Sequence, residues 1–209
     1  MIRVGIPASI GMIIMSISIV FVNHIILATN GEEGIAIYTN VWRLMQIGFI
    51  PLFGIAGALT AVSGDSYGAK NAKNLEKAYY YALKFTLRVN GLILAFMLIF
   101  APQISYVFAY TEESSVIYEG LMSSLRTLSF ILVFAPIGIA TSSMFQGMGN
   151  GEKALALTIL RVSMQVMLAY FLAIELGIGF EGVLFGIVLG DAISAMLSFS
   201  WAKIEMSKV

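Results

Sequence analysis

The sequence has no cysteine, a single histidine and few charged residues, and each shortage excludes a class of chemistry. Without cysteine there can be no disulfides or thiolate sites, and one histidine supplies too few ligands for zinc, so we predict no metal site. Only 11% of the 209 residues are charged and 59% are hydrophobic, whereas soluble domains carry about 25% charged residues. We therefore expect an integral membrane protein.

Sequence signatures of catalysis are also missing. There is no HExxH, no GxSxG and no nucleotide-binding loop. SGD at 63–65 and LGD at 189–191 resemble the paired aspartates of intramembrane proteases, but Asp65 falls in a predicted loop and neither site has GxGD spacing. We predict that the protein is not an enzyme and has no nucleic-acid partner.

Long apolar segments dominate the rest of the sequence. A membrane-spanning helix needs about 20 apolar residues, and six segments meet this length: 7–28, 36–63, 78–101, 116–147, 154–174 and 181–201. The second and fourth are longer than needed, which predicts tilt, kinks or ends that project into water. The loop 102–115 is long enough for a short interfacial helix. The predicted fold is all-α, with residues 1–209 forming one six-span membrane domain.

The distribution of basic residues predicts the orientation. Both ends and the loops 64–77 and 148–153 carry seven basic residues: Arg3, Lys70, Lys73, Lys77, Lys153, Lys203 and Lys208. The three opposite loops carry none and hold six glutamates instead: Glu32, Glu33, Glu112, Glu113, Glu175 and Glu181. The positive-inside rule therefore predicts cytoplasmic termini.

Small residues recur at helical spacing in two segments. Gly54 and Ala58, like Gly57 and Ala61, lie four residues apart in a segment that also contains Pro51, and such faces favour close packing of membrane helices. In the last segment a ridge recurs every four residues: Gly182, Gly186, Gly190, Ser194 and Ser198. We interpret this ridge as a packing surface, with direct lining of a conduit as the alternative.

Charged residues inside the predicted spans are the candidate functional residues. Asp191 is too deep and too short to reach water, and an intramembrane charge costs about 2.5–3.5 kcal/mol on insertion scales. One interpretation pairs it with Arg161 as a structural ion pair. The other makes it a titratable or cation-coordinating carboxylate, and the two are compatible.

The basic residues outnumber this acid five to one within the spans, namely Arg43, Lys84, Arg88, Arg126 and Arg161. Lys84 and Arg88 continue a basic helical face that begins at Lys70. That face either snorkels to anionic headgroups or forms one wall of a cavity open to the cytoplasm. The imbalance predicts that water reaches these residues or that acidic groups come from another polypeptide or lobe.

Ordered motifs along the sequence resemble the multidrug and toxic compound extrusion (MATE) family, and specifically one carboxyl-terminal six-helix lobe. They are GIPASIGMIIMSISIVFVN (5–23), Arg43 before PLFGIAGALTAVSGDSYGAKN (51–71), SSMFQGMGNGEKA (142–154), LTILR (157–161) and GVLFGIVLGDAIS (182–194). The amino-terminal lobe often has an acid in its first span, where this sequence has Asn23. The candidate cleft-lining residues are Asn23, Arg43, Lys84, Arg88, Arg126 and Gln146.

The resemblance implies secondary active efflux of amphipathic organic or drug-like solutes across the plasma (inner) membrane, where the protein would be located. Entry of Na⁺ or H⁺ would drive it, with no other cofactor. A family transporter has two lobes, so the expected partners are membrane lipid, a small-molecule substrate and a second six-helix lobe. That lobe could be a separate chain, a missing amino-terminal half or a second copy. The alternatives are a lipid or lipid-linked-saccharide flippase, or a membrane subunit that transports nothing.

Overall fold

The computed structural model describes residues 2–108 and 117–208, with side chains from Val4 onward. Residues 109–116, which include Glu112 and Glu113, lie outside the described residues, as does the side chain of Arg3. The predicted loop 102–115 falls partly there. Its first part, 102–108, continues a long helix instead of forming a separate interfacial helix.

The described residues form an all-helical bundle without a strand, which confirms the predicted fold class. The helices are α1 Ile2–Gly68, α2 Ala72–Phe108, α3 Tyr118–Ser129, α4 Ile131–Gly147, α5 Gly151–Tyr170 and α6 Phe180–Met206, with a π-helical turn, Phe171–Glu175, extending α5. Most helices run beyond the apolar segments that predicted them. Their polar flanks can extend into water while the backbone hydrogen bonds continue.

Helix α1 is broken at Gly31 into a first arm, 2–30, and a second arm, 32–68. Gly31 has φ 64° and ψ −154°, a conformation that side chains disfavour and glycine tolerates. Residues of both arms line one cavity and belong to one core cluster, so the chain doubles back at this glycine. The predicted loop between the first two spans is therefore wrong in extent, because Gly31 alone departs from helical geometry inside α1.

By length and composition, four helices of the described part could cross a membrane, with α1 counted once, and the pair α3–α4 makes a fifth. The axis bends by 41° between α3 and α4. The excess length of the segment 116–147 predicted such a bend. The number of six spans and the side on which the termini lie stay predictions.

The three glycines of the α6 ridge pack against α5 and its π-helical extension, which confirms the packing interpretation for them, whereas Ser198 in the same ridge lines a cavity. A Cβ atom on Gly186 would lie 2.4 Å from the backbone N and Cα of Ala169. At Gly182 and Gly190 an added Cβ would also meet backbone atoms at 2.6–2.8 Å. Glycine is required at these positions because only its missing side chain lets the two backbones approach so closely.

The small face of the second arm does not pack within the described part of the chain. A Cβ on Gly54 or Gly57 would find no atom within 4 Å. The expectation of close packing at these glycines is therefore wrong for this bundle. The second arm buries other side chains, among them Leu52, Ala56 and Leu59, because a four-residue spacing identifies a small face but does not determine its orientation.

The second arm makes its close helix crossing further along, at Gly64. A Cβ on Gly64 would lie 3.1 Å from the carbonyl oxygen of Gly147 in α4. A Cβ on Gly147 would lie 2.3 Å from the carbonyl oxygen of Thr60. This contact holds α4 against the second arm and so fixes one wall of the cavity described below.

Candidate functional site

Asp191 is buried at the contact between α5 and α6 and is held by two side chains of α5. Its carboxylate oxygen Oδ1 lies 3.2 Å from Nε of Arg161 and accepts a hydrogen bond of 2.9 Å from Nε2 of Gln165. The neighbouring residue Gly190 permits this close approach, since a Cβ atom there would lie 2.6 Å from the backbone N of Gln165. Arg161 and Gln165 are one helical turn apart, so both side chains point to the same carboxylate.

The second carboxylate oxygen of Asp191 has a different environment. Oδ2 is buried and has no hydrogen-bond partner among the described residues, and the whole residue is only 1% exposed. Burying a charge is costly unless it is paired and hydrogen-bonded. Arg161 and Gln165 interact with Oδ1, whereas Oδ2 accepts no hydrogen bond from the described residues.

A cavity of about 790 Å³ is lined by both arms of α1 and by α4, α5 and α6. Three of the predicted site residues line it: Arg43 from the second arm, Gln146 from α4 and Arg161 from α5. The other polar lining residues are Gln46, Ser142, Ser143, Thr158 and Ser198. This volume is within the range of small-molecule sites, which is about 300–1,000 Å³.

The charged lining of the cavity is entirely basic. Within the described part of the chain, its lining includes Arg43 and Arg161 but no aspartate or glutamate. Asp191 does not line the cavity, so Arg161 stands between this carboxylate and the open space. Arg43 has no ion pair among the described residues. The cavity therefore carries an uncompensated positive charge.

The other four predicted cleft residues do not line this cavity. Asn23 is half-buried on the first arm, with its Oδ1 lacking a partner among the described residues. Lys84 lines a separate groove of about 980 Å³ between the second arm and α2, which also contains Lys77. Arg88 on α2 and Arg126 at the end of α3 are exposed.

Two polar contacts between α5 and α6 were not predicted from the sequence. Gln165 follows Arg161 by four residues, so the spacing itself could have indicated a shared partner. Lys153 near the start of α5 pairs with Glu205 near the end of α6, and Lys208 Nζ also lies 3.3 Å from a Glu205 carboxylate oxygen. The Lys153–Glu205 pair links the same two helices at the end opposite the π-helical turn, whereas Lys208 and Glu205 are only three residues apart in the chain.

Taken together, the long apolar helices define a multi-pass membrane protein, and its helices surround a partly open, largely apolar cavity that carries a few polar residues. A family model described as MatE matches residues 7–171. The chain belongs to the MATE family, as the motifs indicated.

Relatives of known sequence and structure agree with this membership. The chain is 24% identical, over 219 aligned positions, to Probable multidrug resistance protein YoeA of Bacillus subtilis (strain 168), covering 100% of this chain and 46% of that protein. It is 42% identical to a MATE protein crystallised with MaL6, with a TM-score of 0.96, covering 99% of this chain and 46% of that one.

A third relative is a MOP superfamily transporter from Pyrococcus furiosus, whose binding pocket is described as having reverse polarity that suggests a different function. It is 42% identical, with a TM-score of 0.95, and the match covers 99% of this chain and 46% of that protein. The chain thus spans about half the length of the relatives it matches.

Proposed function

We propose that residues 1–209 form one lobe of a two-lobe secondary exporter of amphipathic organic solutes. The observation that carries this proposal is the cavity between the two arms of α1, of about 790 Å³ and lined by both polar and aromatic residues. Ligand sites of this size are typically apolar, with a few placed polar groups. Membership of the MATE family makes transport the function that this cavity supports best.

Efflux is driven by entry of Na⁺ or H⁺, without another cofactor and without covalent chemistry. In this proposal Asp191 is the structural partner of Arg161, because the 3.2 Å contact supplies the opposite charge that a buried carboxylate needs. The competing role, a cation or proton site at Asp191, is supported by its unpartnered Oδ2.

The second lobe is the proposed partner, as a separate chain, an amino-terminal half or a second copy of this chain. Two features support it: the relatives are about twice as long, and Gly54 and Gly57 on the second arm have open space around them. Small faces of this kind allow close helix approach in membranes. The proposed location is the plasma membrane, with both termini in the cytoplasm.

Transport assays on reconstituted protein distinguish this function from its alternatives. The protein in proteoliposomes is expected to move a fluorescent amphiphilic solute in response to a Na⁺ or pH gradient. Movement of labelled lipid between leaflets, without solute movement, would instead support a flippase. If the two-lobe assembly moves neither under any gradient, the chain is a non-transporting subunit and the proposal fails.

A further inference from the structure

We propose that the cavity between the arms of α1 binds amphipathic anions, so that its ligands carry a carboxylate, sulfonate or phosphate group. That the bound anion is transported rests on the proposed function, whereas its binding does not. Two features of the cavity wall support this proposal: its two arginines, and the aromatic and methionine side chains around them.

Arg43 and Arg161 are the two charged residues of the cavity lining. Asp191 offsets the charge of Arg161 through Nε, but the terminal nitrogens of Arg161 hydrogen-bond to no described residue and the side chain lines the cavity. Arg43 has no ion pair within residues 2–108 and 117–208. Arg43 is exposed, so solvent screens part of its charge, but like charges still repel and a cationic ligand is disfavoured here relative to an anion.

The carboxylates near the cavity do not reverse this balance: Glu152 follows the lining residue Gly151 but is exposed and does not line the cavity, and two others are already paired. Glu205 is a buried acid near the carboxyl-terminal end of α6, and it is already paired with Lys153 and Lys208. Asp191 is buried behind Arg161. Guanidinium groups also present planar, paired donors that match carboxylate and phosphate oxygens, which favours anions with this geometry.

The apolar part of the wall accounts for the amphipathic character of the ligand. Trp42, Phe49 and Phe53 follow one another along the second arm, with ring centroids 6.1 Å apart at each step, and all three line the cavity. Met12 and Met15 line it from the first arm. Methionine side chains adapt to irregular ligands, so this wall accepts an apolar chain or ring.

Two sources supply such an anion: an anionic phospholipid from the bilayer, or an organic anion from the aqueous phase. Both place an acidic group on the arginines and an apolar part on the aromatic wall. The binding experiment therefore uses matched soluble probes, and anionic lipid is added as a competitor.

The test measures binding to the chain in phosphatidylcholine nanodiscs. The probes are 11-(dansylamino)undecanoic acid, its methyl ester and the corresponding undecylamine, which differ in charge but share fluorophore and chain. The acid is expected to bind about tenfold more tightly than the amine, which is the effect of one charge-assisted hydrogen bond. Arg43→Gln should remove most of this preference and leave binding of the neutral ester unchanged.

Two control variants keep the test specific to this cavity. Arg88→Gln removes an exposed arginine that lines neither the cavity nor the groove, and Lys84→Gln removes a lysine of the groove. Both should keep the anion preference. Equal or tighter binding of the amine, or a preference lost in Lys84→Gln and kept in Arg43→Gln, would overturn the inference.

Addition of phosphatidylglycerol to the nanodiscs identifies the source of the anion. Competition with the acidic probe that disappears in Arg43→Gln supports a lipid ligand at this site, and a lack of competition supports a soluble anion. Binding and transport are separate readouts. Anion-selective binding without gradient-driven transport would refute the proposed function alone, and transport with cation-selective binding would refute this inference alone.

Discussion

Asp191 and Arg161 form the most informative residue pair, because the two possible roles of Asp191 predict different effects of the same substitution. Asp191→Asn should leave Arg161 without its counter-charge. Loss of one partner of a buried pair costs about 3–5 kcal/mol, and access of Arg161 to the cavity should reduce this. We expect a lower thermal unfolding midpoint in detergent, with partial rescue by adding Arg161→Gln.

The opposite pattern would assign Asp191 to ion coupling. An Asp191→Asn protein that unfolds at the wild-type temperature, but whose transport no longer responds to Na⁺ or pH, would contradict the structural role. Lys84→Gln is the matched control for removing a charge from a span. Lys84 is exposed, so that variant should not change the unfolding midpoint.

Among the charged residues within the predicted spans, some could be assigned to a site from the sequence and others could not. Asp191 could be selected as the deep acid, and Arg161 as its candidate partner, because intramembrane charges are few and costly. Cleft candidates such as Arg88 and Arg126 could not be ranked, since their orientation depends on helix rotation. The structure places both on the exposed surface rather than in the cavity.

At the scale of single elements, the glycine ridge of α6 gives a sharp packing prediction. Gly186→Leu should destabilise the bundle by at least about 1–3 kcal/mol, since even a Cβ there would lie 2.4 Å from the backbone of Ala169. Gly57→Leu introduces the same side chain where no atom lies within 4 Å. In detergent, the thermal unfolding midpoint of Gly186→Leu should be lower than that of Gly57→Leu. Equal midpoints would refute the packing role of Gly186.

The two glycine-containing segments also show why element packing was only partly predictable. Both have small residues four apart, yet α6 packs through its ridge while the face at Gly54 and Gly57 is open. Spacing along a helix carries no information about which neighbour arrives at that face. The polar stretch around Gly31 predicted a loop, but helical geometry continues on both sides because one glycine suffices for the reversal.

At the scale of the whole molecule, the absence of cysteine makes the predicted orientation directly testable. Single cysteines at Ser207 and Glu33, both exposed, place labels near the tail and near the Gly31 break. The positive-inside rule predicts that, in intact cells, a membrane-impermeant maleimide labels Glu33→Cys and not Ser207→Cys. The reverse labelling would contradict the predicted orientation.

The two-lobe arrangement makes a further prediction for the intact assembly. Cross-linking in native membranes should trap a species with two lobes, and Gly57→Leu should reduce its yield if the open face of the second arm contacts the other lobe. Gly91→Leu is the matched control, because Gly91 is also open but lies on α2. A strictly monomeric lobe that still transports would contradict this arrangement.

Ion-coupled solute movement tests the central claim most directly. The protein is reconstituted with its second lobe in proteoliposomes, a Na⁺ or pH gradient is imposed, and uptake of a fluorescent amphiphile is followed before and after an ionophore collapses the gradient. We predict accumulation that requires the gradient and stops on its collapse, and accumulation of an anionic amphiphile should be weakened by Arg43→Gln. Uptake that is identical with and without the gradient, for both Na⁺ and H⁺, would contradict a cation-coupled exporter.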